Sequence, residues 1–433
     1  MRTYVWLILL SILSFNCKKG SPDPVASLPT VIISGVSSIT SISVAAAADV
    51  SSDGGDPVTA RGICWSTTAG PVITGNHSSD GSGIGNFSSN ITGLIASTTY
   101  YFRPYATNSI GTAYGDEVIF TTSATDIYLA GYAFNGTFAV AKVWKNGVAT
   151  SLTSGMSDAY AKSVYVSNND VFVTGYDFNG TATVAKVWKN GIASSLSDGT
   201  HVAYGESIFV SGGNVYVAGY ESNGVNKVAK VWKNGIATAL SSGSTDSYAY
   251  GIFVSGTDVY VVGEEYTGVA STHIPKLWKN GVETSLSSTA HDASAIAVYV
   301  SGNDVYVAGQ DYNGTNFTAT LWKNGVKTAL TNGTFPAYAL SVYVSGNDVY
   351  VGGSEADVTG DKAKIWKNNI PTTLTSGSTS SMVASLCIFG NDVYAAGYES
   401  SLPAWTPKVW KNAVATSLTN GSSSADVYSI FVK

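Results

Sequence analysis

The segment Ser207–Gly243 reads SIFVSGGNVYVAGYESNGVNKVAKVWKNGIATALSSG and contains four short stretches with strand-like alternation. Its Trp-Lys-Asn motif occurs seven times in the chain, and successive tryptophans are 44, 44, 46, 44, 44 and 44 residues apart. These tryptophans are Trp144, Trp188, Trp232, Trp278, Trp322, Trp366 and Trp410. Four strands in about 40–45 residues are typical of one blade of a β-propeller. Seven copies therefore predict a seven-bladed β-propeller over residues 126–433.

The turns and the ends of this region support the same reading, with the four strands of a repeat named a to d. Asn-Gly follows Trp-Lys in the first five repeats, as at Asn146-Gly147, and predicts a type I′ hairpin between strands c and d. Asn368-Asn369 and Asn412-Ala413 replace it in the last two. The first repeat starts at Asp126 without a strand a, whereas Ser429–Lys433 is a strand a with nothing after it. We therefore predict that the C-terminal strand completes the first blade and closes the ring.

Residues 30–124 predict a separate β-sandwich, because several short alternating segments are separated by Gly, Asp and Ser turns. The predicted strands are Ser41–Val50, Thr59–Thr67, Asn86–Leu94, Thr98–Thr107 and Glu117–Thr122. The stretch LIASTTYYFRPYATN at Leu94–Asn108 resembles the signature of the fibronectin type III family, with Tyr100 at the corner-tyrosine position. The resemblance implies a spacer or adhesion module without catalysis, and we expect Trp65 to pack between the two sheets.

The N-terminal segment is typical of an export signal. Residues 1–16 combine a positive start with the apolar run Tyr4–Phe15, which is too short for a membrane-spanning helix. Cys17 then begins a Lys-, Ser- and Pro-containing tether over residues 17–29. This arrangement resembles lipoproteins of the Bacteroidota. The resemblance implies lipidation of Cys17 and location in the outer membrane, on either the cell-surface or the periplasmic side. The alternative is a secretory signal followed by a chance cysteine.

Charge and cysteine content exclude several classes of protein. The net charge is −6 and only three arginines occur, which argues against a nucleic-acid-binding protein. Aromatic residues make up 12% of the chain, which argues against disorder. Cys64 and Cys387 lie in apolar strand patterns and are expected to be buried, without a disulfide framework. No cofactor motif or metal-ligand spacing is present.

Candidate binding residues lie where the d–a and b–c connections of the repeats converge, since function concentrates in such loops. One set consists of tyrosines near the start of strand a: Tyr160, Tyr204, Tyr248 and Tyr338. A second set consists of acids at the end of strand b: Asp177, Glu221, Glu265, Asp311, Glu355 and Glu399. A third set consists of residues without an equivalent in the other repeats: His201 and His291 in d–a loops, and His273 and Phe317 in b–c loops. Trp405, also assigned to a b–c loop, is the one propeller tryptophan outside the repeat motif.

These residues favour a binding site lined by aromatic rings and carboxylates, without an assigned catalytic residue. The alternative is that the tyrosines pack loops and the acids are solvated hairpin ends. The motif tryptophans are expected to pack between blades, and the lysines beside them to be solvated. We expect a monomeric, membrane-anchored envelope protein that binds a glycan or another envelope protein. Two further hypotheses remain open: a carbohydrate hydrolase or lyase that uses mouth carboxylates, and a scaffold subunit of a surface complex.

Overall fold

The computed structural model of the chain describes residues 25–268, 272–287, 291–377, 379–401, 404–421 and 423–433. In these ranges the secondary structure consists of 36 β-strands and no α-helix, which confirms the all-β class. The part described accordingly has no helix long and apolar enough to cross a membrane. The predicted signal peptide, Cys17 and the start of the tether lie outside the described residues. The chain divides into two compact units, Met1–Ala124 and Thr125–Lys433.

The first unit contains two antiparallel sheets. Its strands are β1 (Thr30–Ser37), β2 (Ser43–Ser52), β3 (Ala60–Ser66), β4 (Asn76–His77), β5 (Gly85–Thr92), β6 (Thr99–Asn108), β7 (Gly111–Tyr114) and β8 (Val118–Thr121). One sheet has the order β1-β2-β5, and the other has the order β4-β3-β6-β7, with β8 paired to β6. Each of the five strands predicted from sequence is present, with its ends shifted by three residues or fewer.

A core between the two sheets holds this unit together. Val44 comes from the first sheet, and Ile63 and Phe102 come from the second. The Tyr100 hydroxyl accepts a hydrogen bond from the Ile95 N–H at 3.0 Å, which is the bond that a corner tyrosine makes. Trp65 is only partly buried and contacts Phe102 at 6.4 Å between ring centroids. Trp65 nevertheless packs against the core between the two sheets, as expected, although its strand pairs with the two-residue edge strand β4.

The second unit consists of seven four-stranded antiparallel sheets in a propeller-like arrangement, which we call blades 1 to 7. Blade 1 contains β9 (Ile127–Phe134), β10 (Ala139–Lys145), β11 (Val148–Ser151) and β36 (Ala425–Val432). Blades 2 to 4 contain β12 (Ala159–Ser167), β13 (Asp170–Phe178), β14 (Thr183–Lys189), β15 (Ile192–Ser195), β16 (Ala203–Ser211), β17 (Asn214–Ser222), β18 (Lys227–Lys233), β19 (Ile236–Ala239), β20 (Ser247–Ser255), β21 (Asp258–Tyr266), β22 (His273–Lys279) and β23 (Val282–Ser285). Blades 5 to 7 contain β24 (Ala293–Ser301), β25 (Asp304–Tyr312), β26 (Phe317–Lys323), β27 (Val326–Ala329), β28 (Ala337–Ser345), β29 (Asp348–Asp357), β30 (Gly360–Lys367), β31 (Ile370–Thr373), β32 (Ser381–Phe389), β33 (Asp392–Ser401), β34 (Ala404–Lys411) and β35 (Val414–Ser417).

The C-terminal strand belongs to the first blade. β36 pairs antiparallel with β9, with Ile430 opposite Leu129 and Asp426 opposite Tyr132. It serves as strand a of blade 1, as the sequence predicts. Each strand a contacts strand a of the next blade, and β36 contacts both β32 and β12. These contacts follow one another from blade to blade through all seven sheets.

The motif tryptophans pack between blades, as expected. All seven are at most 1% exposed. Trp188 of blade 2 packs against Tyr128, Ala130 and Ala141 of blade 1, and the other blades repeat this contact. An alanine lies opposite the indole on strand d in four blades, as in the pairing of Trp144 with Ala149. Blades 4 to 6 have Glu283, Lys327 and Pro371 at this position.

The lysine and asparagine of the motif form a repeated polar cluster with the first residue of strand b. In blade 4 Lys279 lies 2.8 Å from the Asp258 carboxylate, and the Asn280 amide donates to the same carboxylate at 2.8 Å. The Asn280 side-chain oxygen accepts the Val259 N–H. The Lys279 ammonium also lies 5.1 Å from the centroid of the Tyr260 ring. The lysine side chains are 50–55% exposed in the six blades that have this aspartate, so the expectation of solvated lysines is confirmed, although each also forms an ion pair. Blade 3 has Asn214 in place of the aspartate.

The c–d hairpins have the predicted type I′ geometry, in which both turn residues have positive φ. Asn280 has φ 52° and Gly281 has φ 80°. The same values recur where glycine is absent, since Ala413 of blade 7 has φ 67°. An alanine in this region is strained because its Cβ crowds the following carbonyl.

Candidate functional site

A central cavity of about 540 Å³ is lined by strand a of all seven blades. Each strand a contains a β-bulge, such as the register shift between Ala161 and Ser163. A bulge leaves one residue unpaired and redirects its side chain. The residues at this bulge position, from blade 1 to blade 7, are Tyr428, Lys162, Glu206, Tyr250, Ile296, Leu340 and Ala384.

The cavity wall is polar on one side and aliphatic on the other. Blades 1 to 4 contribute two phenols and two charged groups, whereas blades 5 to 7 contribute three aliphatic side chains. The Lys162 ammonium lies 3.4 Å from the Glu206 carboxylate and 4.2 Å from the centroid of the Tyr428 ring. The Tyr250 hydroxyl donates to Glu264 at 2.9 Å. If the bulge residues served only to pack the repeats together, similar residues would be expected at this position in every blade.

The difference between blades 1 to 4 and blades 5 to 7 continues at the end of the cavity where strands a begin. Six tyrosine rings in contact with one another lie at this end, all in blades 1 to 4. They come alternately from strands b and a of blades 1 to 4, and we call them the tyrosine arc: Tyr132, Tyr160, Tyr176, Tyr204, Tyr220 and Tyr248. Successive ring centroids are 4.9, 5.2, 4.6, 4.9 and 4.8 Å apart. The arc contacts the cavity through Tyr428 and Tyr250, each 6.0 Å from an arc ring.

The arc contains three of the four predicted tyrosines. Tyr160, Tyr204 and Tyr248 belong to it, but Tyr338 of blade 6 does not and instead contacts Phe317 at 6.0 Å. The strand-b tyrosines were missed, although hairpin register counted from the sequence places Tyr176 directly opposite Tyr160. The arc is therefore confined to blades 1 to 4, on the same side as the polar cavity wall.

Burial controls the protonation of these phenols. It raises the pKa of Tyr132 to about 12, and it also raises the pKa values of Tyr176 and Tyr220. All six rings are partly buried, so each keeps some accessible surface. At neutral pH the arc therefore offers uncharged ring faces together with hydroxyl groups that donate and accept hydrogen bonds.

A buried carboxyl group lies at each end of the arc. Asp426 occupies in blade 1 the position of Tyr160, and Glu264 occupies in blade 4 the position of Tyr220. Asp426 is 3% exposed and accepts one hydrogen bond, from the Val427 N–H at 2.7 Å. Burial raises the pKa of Asp426 to about 7, although the Val427 N–H and Lys162 act in the opposite direction.

The six acids predicted to line the mouth are paired with lysines. Each follows the strand-b tyrosine position by one residue and so points to the opposite face of its blade. The pairs are Asp177–Lys186, Glu221–Lys230, Glu265–Lys276, Asp311–Lys327, Glu355–Lys364 and Glu399–Lys408. Lys327 comes from strand d, since strand c of blade 5 has Thr320 at the usual lysine position. The hypothesis of solvated hairpin ends therefore does not describe them.

Trp405 lies on a strand and not in the predicted loop. It is the second residue of β34, because pairing in blade 7 continues out to Ser401 and Ala404. Its indole stacks on Tyr398 at 4.7 Å with an interplanar angle of 11° and stays 42% exposed.

The other singular residues also take specific positions. His273 and Phe317 begin strands β22 and β26, so their assignment to loops was also wrong. The His273 ring contacts Asp292 at 3.0 Å. His201 and His291 are exposed in d–a loops, as expected. Within the described ranges, no three His, Cys, Asp or Glu side chains are grouped so that they could hold a metal ion.

A second ring of side chains narrows the opposite end of the cavity. It contains the distal aromatic residues Tyr165, Phe209, Phe253, Tyr299, Tyr343 and Phe431, with Cys387 in the seventh place. Neighbouring rings from Phe431 to Tyr343 are 4.7–4.9 Å apart. Burial raises the pKa of the Cys387 thiol to about 12, which makes it unreactive at neutral pH. Unlike the tyrosine arc, this ring is nearly uniform around the blades.

No protein-family model and no curated protein matches this chain. Solved structures with a similar arrangement include one assigned to TolB of Agrobacterium tumefaciens, with a TM-score of 0.37 and 9% identity, covering 58% of this chain and 88% of that one. Another is hydrazine synthase of Kuenenia stuttgartiensis, with a TM-score of 0.39 and 9% identity, covering 70% of this chain and 47% of that one. At this level of similarity neither structure carries an argument about function.

Proposed function

We propose that this chain is a cell-envelope binding protein in which a closed seven-bladed propeller binds a glycan through the tyrosine arc. Pairing of β36 with β9 and the contacts of β36 with β32 and β12 support closure of the ring. The two-sheet order of the first unit and the Tyr100–Ile95 hydrogen bond support a fibronectin type III-like sandwich.

The observation that carries the proposal is the confinement of the arc to four of seven blades. In an inter-blade packing role, every blade needs the same residue, as the motif tryptophans illustrate. At the arc positions blades 5 and 6 carry Ser294, Gln310, Tyr338 and Ser354, and blade 7 carries Met382 and Tyr398. The tyrosines of blades 6 and 7 are therefore isolated from each other in the repeat and do not continue the series of ring contacts. Such a departure from the repeat, next to a cavity, is typical of a surface shaped for a ligand.

Sugar rings suit this surface for two reasons. Their C–H faces stack on aromatic rings, and their hydroxyls pair with phenols and carboxylates. By analogy with bases stacked on aromatic side chains, each stacked ring contributes about 1–2 kcal/mol. Two or three such contacts, together with hydrogen bonds to Glu206 or Tyr250, would give affinities in the micromolar range.

The six strand-b acids do not favour a glycosidase. Hydrolysis requires one carboxyl group that donates a proton and a second that stays ionised beside the same bond. The six strand-b acids are near-equivalent, and each is neutralised by a lysine. Binding therefore explains this arrangement better than catalysis does.

The place of the protein in the cell also belongs to the proposal. A Cys17 that follows an apolar run and begins a polar tether supports a lipid anchor in the envelope. Residues 25–433 would then form the soluble part.

The test is a panel of oligosaccharides screened against the soluble fragment 25–433, followed by titration of any glycan that binds. We expect Tyr204→Ala to weaken binding about tenfold, corresponding to one lost stacking contact. Tyr338→Ala is the matched control, because Tyr338 occupies the same repeat position outside the arc. Absence of binding across the panel, or equal losses in the two variants, would contradict the proposal.

A further inference from the structure

The tyrosine arc is bounded by two buried carboxyl groups. Glu264 and Asp426, which end the arc, are 8% and 3% exposed, respectively. Within the described residues, Glu264 accepts one hydrogen bond, from Tyr250, and Asp426 accepts one, from Val427. A buried carboxylate commonly has more partners than this, since each has about four acceptor positions.

The charges around the cavity do not balance. Among the described residues, Lys162 is the one cation that lines it, and its ammonium pairs with Glu206 at 3.4 Å. Glu264 and Asp426 are left without a cationic partner within salt-bridge distance among the described residues. Further out, Asp246 lies beside Tyr248, but its carboxylate pairs with Lys227 at 3.7 Å and adds no unbalanced charge.

The faces of the tyrosine rings also favour a cationic ligand. The negative face of a phenol ring attracts a cation, and the attraction is stronger where water is excluded. The cavity already shows this contact within the chain, where the Lys162 ammonium lies 4.2 Å from the centroid of the Tyr428 ring. An ammonium group of a ligand would contact the remaining tyrosine ring faces of the arc. The arc lies between Glu264 and Asp426, the two carboxyl groups described above as lacking a cationic partner.

We propose that the ligand is a glycan that carries a free, protonated amino group. This inference rests on the proposed function, and it names the ligand class of the same site. The ammonium lies near Glu264 or Asp426, and the sugar rings stack on the arc. The aliphatic wall formed by Ile296, Leu340 and Ala384 faces the part of the ligand that has no charge.

The experiment compares two oligosaccharides of the same length and linkage: a β-1,4-linked glucosamine tetramer, whose amino groups are free, and the N-acetylglucosamine tetramer, whose amino groups are acetylated and uncharged. Both are titrated into fragment 25–433 at pH 7 and moderate salt. We expect at least tenfold tighter binding of the glucosamine tetramer, and a loss of that preference in Glu264→Gln and Asp426→Asn. Asp258→Asn is the control for general negative charge, because Asp258 lies at the opposite end of its blade beside Lys279, and the preference should persist in it.

The outcomes separate the two proposals. Equal affinity for the two tetramers would overturn the amino-group inference and leave glycan binding intact. Binding of neither tetramer, with another glycan of the panel bound, would also overturn it. Binding of no glycan at all would contradict the proposed function itself. An unchanged preference in both carboxyl variants would show that the charge selectivity comes from elsewhere.

Discussion

Asp426→Asn should make the protein more stable at neutral and alkaline pH. Asp426 is 3% exposed, and burial raises its pKa from 3.8 to about 7. Between these two values the folded state keeps a proton that the unfolded chain has released. Stability from this group is therefore present below pH 4 and is lost as the pH rises toward 7. Asparagine has the same shape and can still accept the Val427 N–H.

The size of the effect follows from the pKa difference. One pKa unit corresponds to about 1.4 kcal/mol, so the shift amounts to roughly 4 kcal/mol at most. The free energy of unfolding of Asp426→Asn, relative to the unmodified protein, should rise by about 1.4 kcal/mol per pH unit between pH 4 and 7. Above pH 7 the difference should stay constant.

Urea unfolding followed by tryptophan fluorescence, at intervals from pH 4 to 8.5, measures this difference directly. Asp258→Asn is the control, because hydrogen bonds from Lys279 and Asn280 lower the pKa of Asp258. The Asp258 carboxylate is therefore ionised in both the folded and the unfolded state above about pH 5, and the difference between Asp258→Asn and the unmodified protein should stay constant there. A pH-independent difference for Asp426→Asn would refute the reasoning, and so would one that grows toward acid pH.

Three further changes test other parts of the account. Ala413→Gly should stabilise the propeller by about 1 kcal/mol in urea unfolding, because Ala413 has φ 67° where five other blades have glycine; a loss of stability would contradict a strained type I′ turn. A chain ending at Ser424 lacks β36 and with it Val427 and Ile430 from the core beside Trp144, so its unfolding free energy should fall by several kcal/mol; an unchanged melting temperature would argue against closure by this strand. Cys17→Ser should move the full-length protein from the detergent phase to the aqueous phase, since acyl chains supply the anchoring; unchanged partitioning would exclude lipidation at this residue.

Repeat spacing and turn chemistry predict much of the propeller, because both are local. The period near 44 residues fixes the number of blades, and Asn-Gly at one place in the period fixes the c–d hairpin. Counting outward from that hairpin pairs Trp144 with Ala149, as observed. The same counting extended to strand b would have placed the lysine of strand c diagonal to the strand-b acid, and so predicted the ion pairs.

The cavity wall could not be predicted in this way. Strict alternation puts Lys162 on the same face as Tyr160 and Val164. The bulge between Ala161 and Ser163 breaks the alternation and turns Lys162 into the cavity. No turn residue or proline marks this position in the sequence. The residue at the bulge position varies from blade to blade, whereas the residues before and after it are nearly constant. This contrast is the one signal in the sequence that marks the position.

Tyrosine-specific chemical labelling with mass spectrometry, in the presence and absence of the bound glycan, shows directly which tyrosines the ligand covers. It reports on each tyrosine separately in an unmodified chain. The account predicts protection of Tyr160, Tyr204 and Tyr248 by the ligand, with unchanged labelling of Tyr338 and of the distal Tyr343. Equal protection of all five, or protection confined to Tyr338 and Tyr343, would contradict a binding site on the tyrosine arc.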